Sequence, residues 1–148
     1  MRTAPKALVP IDTHAPPTHH APMIAPVLQV ALGGALGAAL RYATGLAILR
    51  LVGQGGFPLA IIVVNILGSF LMGLFVVAAA HRGLAHVAPF AMTGLLGGFT
   101  TFSAFSLEAV TLYERGDAGL AALYVSLSVA GSIAGLMAGL WLARGFFA

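Results

Sequence analysis

Four stretches of this 148-residue chain, about 24–49, 57–80, 87–113 and 118–143, are apolar and almost free of charge. A helix needs about 20 apolar residues, at about 1.5 Å of rise each, to cross about 30 Å of hydrocarbon. Each stretch is long enough. Backbone groups in hydrocarbon find no water, so spans of this length must satisfy their hydrogen bonds internally, as helices do. The reading is an all-α membrane protein with four transmembrane helices in residues 24–148, joined by short loops at 50–56, 81–86 and 114–117 that each hold Gly or charge. The third stretch differs from the others. Gly94, Gly97 and Gly98 precede Thr100, Thr101 and Ser103 at its centre, and this run predicts a third helix broken at mid-membrane.

The composition removes other classes. Hydrophobic residues make up 59% and charged residues 7%, with a mean hydropathy of +1.00. The seven Lys and Arg residues are scattered singly, so no basic patch exists to hold a nucleic-acid backbone. There is no cysteine, which excludes disulfides, thiolate metal sites and a cysteine nucleophile. The eleven charged side chains mostly sit near predicted helix ends and leave little for acid/base catalysis, so the chain is read as no enzyme. A P-loop is also excluded, because the glycine spacing is wrong and Lys6 is the only lysine.

Residues 1–23 contain Pro5, Pro10, Pro16, Pro17 and Pro22 and read as a disordered tail. In that setting His14, His19 and His20 read as incidental rather than as a metal site. The first span is too long for a signal-peptide core and is interrupted by Arg41, so it is kept as a mature helix.

Four spans put both termini on one side. Close to the spans, Arg82 and Arg144 lie on that side and Arg50 and Arg115 on the other, with only the distant Arg2 and Lys6 to tip the count. Insertion in either orientation is then physically open, and oppositely inserted copies can meet about a two-fold axis in the membrane plane. The expectation is an antiparallel, dual-topology homodimer in a lipid bilayer.

Lipid gives no hydrophobic drive for helix association, so small residues that allow close packing must supply it. Gly131, Gly135 and Gly139 recur every four residues, with Ser128 and Ser132 on an adjoining stripe. Gly33, Gly37 and Gly45 share a face of the first span, and Ser69 and Gly73 repeat the spacing in the second. Each is a predicted seam.

The polar groups inside the spans need partners. Carbonyls freed at the third-span break suit a cation, while the half-helix N-terminus beyond it suits an anion. The alternative is a continuous Gly-rich helix with Thr and Ser bonded to the preceding turn. Asn65, inside the second span, is either an interhelical clasp or a cavity lining. Arg41 and Glu108 are the charges well inside spans; Glu108 is placed near a polar pathway, and Arg41 either snorkels or bonds carbonyls of the break. Phe102 and Phe105 share a helical face directly after it, where ring edges, which are positive, can face an anion without trapping it.

Three motifs carry a family likeness: Gly33-Gly34-Ala35-Leu36-Gly37-Ala38-Ala39-Leu40-Arg41-Tyr42, Val64-Asn65-Ile66-Leu67-Gly68-Ser69-Phe70, and Gly97-Gly98-Phe99-Thr100-Thr101-Phe102-Ser103-Ala104-Phe105-Ser106. Together they resemble the Fluc (CrcB-type) fluoride channels over residues 24–144. The likeness implies a dual-topology dimer in the bacterial plasma (inner) membrane, with two antiparallel pores that export fluoride passively. It implies Asn65 as a pore donor, Phe102 and Phe105 as the aromatic pair, and Ser128 and Ser132 as hydroxyl donors, with Thr101 and Tyr124 nearby and Glu108 as a carboxylate near the pore. It also implies a structural sodium ion held at the dimer centre by the backbone carbonyls of Gly97 and Thr100. Two positions depart from the family pattern. Ala60-Ile61 stand where Gly-Thr is usual, removing a hydroxyl one turn from Asn65, and Ala104 replaces a frequent Thr or Ser. The rival readings are a small four-span proton-coupled multidrug exporter, with Glu108 as proton carrier, and a non-transporting assembly subunit held by its glycine seams.

Overall fold

The computed structural model describes residues 23–53 and 55–147. The expected tail, with its three histidines, lies outside the described residues apart from Met23. Among the described residues the chain is helical and has no strand. Four helical runs, Ile24–Val52, Leu59–Arg82, Leu84–Glu114 and Ala118–Phe147, are long and apolar enough to cross a membrane. At 24 to 31 residues they exceed the minimum for a span, which tilt accommodates.

The first helix, α1 (Ile24–Val52), and the second, α2 (Leu59–Arg82), are uninterrupted. Gly83 ends α2 at φ 65°, ψ 28°, a left-handed conformation that a Cβ disfavours, and its N–H bonds to the Ala79 carbonyl. The third span is not uniformly wound. A 3₁₀ turn at Leu84–Val87 leads into π-helical winding over Pro89–Leu96, then a short α3 (Gly97–Phe99). Thr100 (φ −77°, ψ 161°) and Thr101 (φ −152°, ψ 124°) are both extended, and the span bends there before α4 (Phe102–Glu114) begins. The last span is α5 (Ala118–Phe147).

Glycine sets how the spans meet. A Cβ on Gly139 would overlap the Phe70 carbonyl oxygen and lie 3.2 Å from the Gly73 Cα, and one on Gly135 would lie 3.0 Å from the Ile66 oxygen. The α2–α5 seam is thus backbone against backbone. The seam between α1 and the third span is similar: a Cβ on Gly94 would lie 2.9 Å from the Gly33 Cα, and one on Gly98 would lie 2.7 Å from the Gly34 oxygen. Gly45 faces open space instead. By that level its helical partner has already turned extended at Thr100.

The inner cluster is small and sits at one end, where Ile62, Phe105, Leu112, Ala121 and Tyr124 pack together. Elsewhere large apolar side chains point outward, as with Leu28, Leu32, Leu36 and Leu40 along one stripe of α1. Such a stripe would be an aggregation hazard in water and is solvated by lipid chains in a bilayer.

Candidate functional site

The bend at residues 100–101 organises the site. In a continuous α-helix the Thr101 N–H would bond the Gly97 carbonyl. It bonds Asn65 Oδ1 at 2.8 Å instead, while Asn65 Nδ2 donates to the Thr101 carbonyl at 3.1 Å. One amide on α2 therefore satisfies both backbone groups of an extended residue at membrane depth, where an unpaired group would cost several kcal/mol. Thr101 also starts the next helix: its Oγ1 accepts the Ala104 N–H at 3.2 Å, which is an N-cap. Thr100 Oγ1 turns back to the Leu96 carbonyl at 3.0 Å, and its methyl fills the space left by Gly68. Ser106 likewise bonds back, to Phe102. The local back-bonding and the bend therefore coexist.

Arg41 Nη1 lies 3.5 Å from the Thr100 carbonyl oxygen. That is the long end of hydrogen-bond range, so of the two sequence readings the guanidinium takes the one that faces the bend. A carbonyl oxygen has two lone pairs and keeps acceptor capacity beside one long bond.

A groove of about 310 Å³ opens beside the bend. Asn65 and Ser69 of α2, Thr100, Thr101, Phe102 and Phe105 of the third span, and Ser128 and Ser132 of α5 line it. The structure thus gathers most of the residues singled out from the sequence onto one surface. The rings of Phe102 and Phe105 lie 5.4 Å apart and are tilted by 44°. Phe102 is 78% exposed whereas Phe105 is buried. Tyr124 is not on the groove wall. It stands behind Phe105, ring stacked at 5.5 Å, and is 0% exposed. Glu108 lies elsewhere too, on a second hollow by the loop between α1 and α2, together with Arg115.

Two donors in this region make no hydrogen bond to the rest of the protein: Ser128 Oγ and Tyr124 OH are both buried, one turn apart on α5, with only each other close by. An unmade buried hydrogen bond costs about 1–3 kcal/mol. With Ser132, Ser69 and the second N–H of Asn65, they form a set of neutral donors around an aromatic pair, chemistry that fits an anion and supplies neither nucleophile nor proton shuttle.

Ser69 is a wall residue, although its four-residue spacing from Gly73 pointed only to packing. Its signal was available, since position 69 lies one turn from Asn65 on the same helical face. Phe57 is a second such case, because its ring meets Tyr124 edge-on at 6.0 Å. No local pattern marks that contact, which depends on how the first loop folds back.

Known proteins match most of the chain in sequence. A chain from Ruegeria sp. (strain TM1040) is 63% identical over 123 residues, which cover 83% of this chain and 98% of that protein. One from Jannaschia sp. (strain CCS1) is 75% identical over 94 residues, 64% of this chain and 90% of that protein. One from Cereibacter sphaeroides (strain ATCC 17029 / ATH 2.4.9) is 64% identical over 126 residues, 85% of this chain and all of that protein. Each of these relatives is named fluoride-specific ion channel FluC. The family described as CrcB-like protein, Camphor Resistance (CrcB), matches residues 28–140, so the chain belongs to the CrcB family.

Proposed function

We propose that this chain is a fluoride-selective channel that lets the ion leave the cytoplasm passively, down its gradient, without enzymatic chemistry. The observation that carries the reading is the groove at the bend, where Asn65, Ser69, Ser128 and Ser132 offer uncharged donors beside the Phe102–Phe105 pair. The names of the relatives support it. Fluoride is small, hard and strongly hydrated, and moving such an ion into a low-dielectric interior carries an idealised penalty of order 20 kcal/mol. Hydroxyls, an amide and ring edges replace that water stepwise, and without a full positive charge they leave the ion free to exit. Thr101 has a supporting part in this scheme, since its Oγ1 accepts from Ala104 N–H and shares a further hydrogen bond of 3.3 Å with Ser103 Oγ.

In this reading two copies inserted in opposite senses form the conducting unit, with two antiparallel pores, in the bacterial plasma (inner) membrane. The near balance of Arg residues across the two faces supports dual insertion. An open groove with a largely exposed Phe102 supports a second copy as its other wall. The mid-membrane break of the third helix then serves both the pore and the dimer centre. The Gly97 carbonyl lacks its usual helical donor because Thr101 N–H goes to Asn65, and the Thr100 carbonyl keeps a lone pair. Uncharged oxygen donors suit an alkali cation, so these carbonyls, from both copies, would hold a structural sodium ion that balances the freed carbonyl dipoles.

The test is efflux from liposomes containing this chain alone. Fluoride is expected to leave rapidly and independently of any proton gradient, with chloride retained. Phe102→Ile, which keeps an apolar side chain on an exposed position, is expected to abolish most fluoride efflux without loss of folded protein. Equal passage of both halides, or full efflux in Phe102→Ile, would refute the assigned path.

A further inference from the structure

The groove and the loop-side hollow are separated by aromatic rings. Phe105 forms part of the groove wall and stacks on Tyr124 at 5.5 Å with planes 26° apart. Phe57 forms part of the wall of the second hollow, about 330 Å³ in volume, which also holds Glu108 and Arg115. Its ring meets Tyr124 nearly at right angles, 86°, with centroids 6.0 Å apart. Tyr124 has no accessible surface on either side, and its hydroxyl is buried and unbonded. The order is therefore hollow, Phe57, Tyr124, Phe105, groove, with an unpaired donor inside the partition.

We infer that Phe57 determines anion selectivity, by holding the Tyr124 ring in a narrow partition between the groove and the loop-side hollow so that its hydroxyl stays free for a passing ion. The inference rests on the fluoride-channel reading and extends it to a residue outside the groove. A tyrosine hydroxyl normally secures a partner when buried. The hydroxyl has only Ser128, one turn on along α5, close by, and the ring is held in place, with the stacked Phe105 blocking one direction and the edge of Phe57 the other. Without Phe57 the ring has room to lean into the loop-side hollow. The path then becomes wider and wetter, and its strongest donor turns away. Fluoride has the most to lose from a missing donor, whereas chloride, larger and less strongly hydrated, has the most to gain from width.

Phe57→Leu keeps apolar bulk and removes the ring edge. Fluoride and chloride efflux are measured from liposomes carrying the wild-type chain, Phe57→Leu, Tyr124→Phe and the double variant. In Phe57→Leu the chloride-to-fluoride ratio is expected to rise about tenfold while fluoride efflux falls less than about threefold, the scale on which one altered apolar contact changes discrimination. Adding Tyr124→Phe to Phe57→Leu is expected to change the ratio no further, because both act through one hydroxyl. An unchanged ratio in both Phe57→Leu and Phe57→Ala overturns the inference, as do strictly additive effects in the double variant. Failure of Phe57→Leu to yield folded protein assigns the ring to folding alone and overturns it too. A wild-type chain that passes no fluoride removes the channel reading itself, a result distinct from selectivity that survives the loss of Phe57.

Discussion

Asn65→Ala removes the amide that satisfies both backbone groups of Thr101, through bonds of 2.8 and 3.1 Å. Two scales compete for its cost. Interhelical side-chain hydrogen bonds in membranes average about 0.6 kcal/mol, which for two bonds gives about 1 kcal/mol. Buried backbone groups left unpaired cost about 1–3 kcal/mol each, or about 2–6 kcal/mol for the pair. The second scale applies here, because Thr100 and Thr101 are both extended and no adjacent turn of helix can take over the orphaned N–H and C=O. The expected loss is therefore at least about 2 kcal/mol, read from the midpoint of denaturant unfolding in mixed micelles followed by circular dichroism. Fluoride efflux is expected to fall as well, since Asn65 lies on the groove wall. A stability loss under about 1 kcal/mol would refute the reasoning, for it would mean that the bend repairs its own hydrogen bonds.

Other outcomes follow from the same geometry. Gly139→Ala places a methyl against backbone atoms of Phe70, Gly73 and Leu74 and is expected to destabilise by about 1–3 kcal/mol as an overpacked contact; an unchanged unfolding midpoint would contradict the seam. Gly45→Ala meets nothing within 4 Å and is expected to gain about 0.5–1 kcal/mol in the same assay through helix propensity. Thr101→Val keeps the β-branch but loses the cap on Ala104 N–H, and a loss of about 1 kcal/mol is expected, checked by the same unfolding measurement. If sodium bridges the carbonyls of Gly97 and Thr100, exchanging it for a large organic cation is expected to lower the stability of the dimer in detergent, with no effect counting against the site.

The glycine seams were legible because packing of backbone on backbone leaves a mark that needs no long-range information. Gly131, Gly135 and Gly139 repeat at the helical period, and all three meet α2. Gly45 obeys the same local rule yet packs against nothing, because its fate depends on where the neighbouring span stops being helical. The run of Gly and Thr from position 94 to 101 pointed to a break in the third span, which takes the form of a bend at Thr100 and Thr101, whereas the π winding over Pro89–Leu96 had only Pro89 to signal it. For Asn65 the sequence left clasp and lining open. The structure gives it both positions, since its partner Thr101 lies 36 residues away and also reaches the groove. Phe57 was silent, as an aromatic residue at the head of a span has many uses.

The placement of unpaired groups separates what the fold requires from what a ligand would require. At the bend the Thr101 backbone and both threonine hydroxyls find partners at hand: Asn65 serves Thr101, Thr101 Oγ1 caps Ala104, and Thr100 Oγ1 bonds Leu96. The same economy does not reach α5. Ser128 and Tyr124 carry buried hydroxyls with no close partner but each other, although alanine and phenylalanine would fill the same positions with little change of shape. A helix that only had to pack against α2 already has its glycines for that purpose. On the proposed channel reading, hydroxyls one turn apart, next to an amide held at the bend and an aromatic pair, serve a transient, strongly hydrogen-bonding anion, and their cost to stability is offset when such an ion binds.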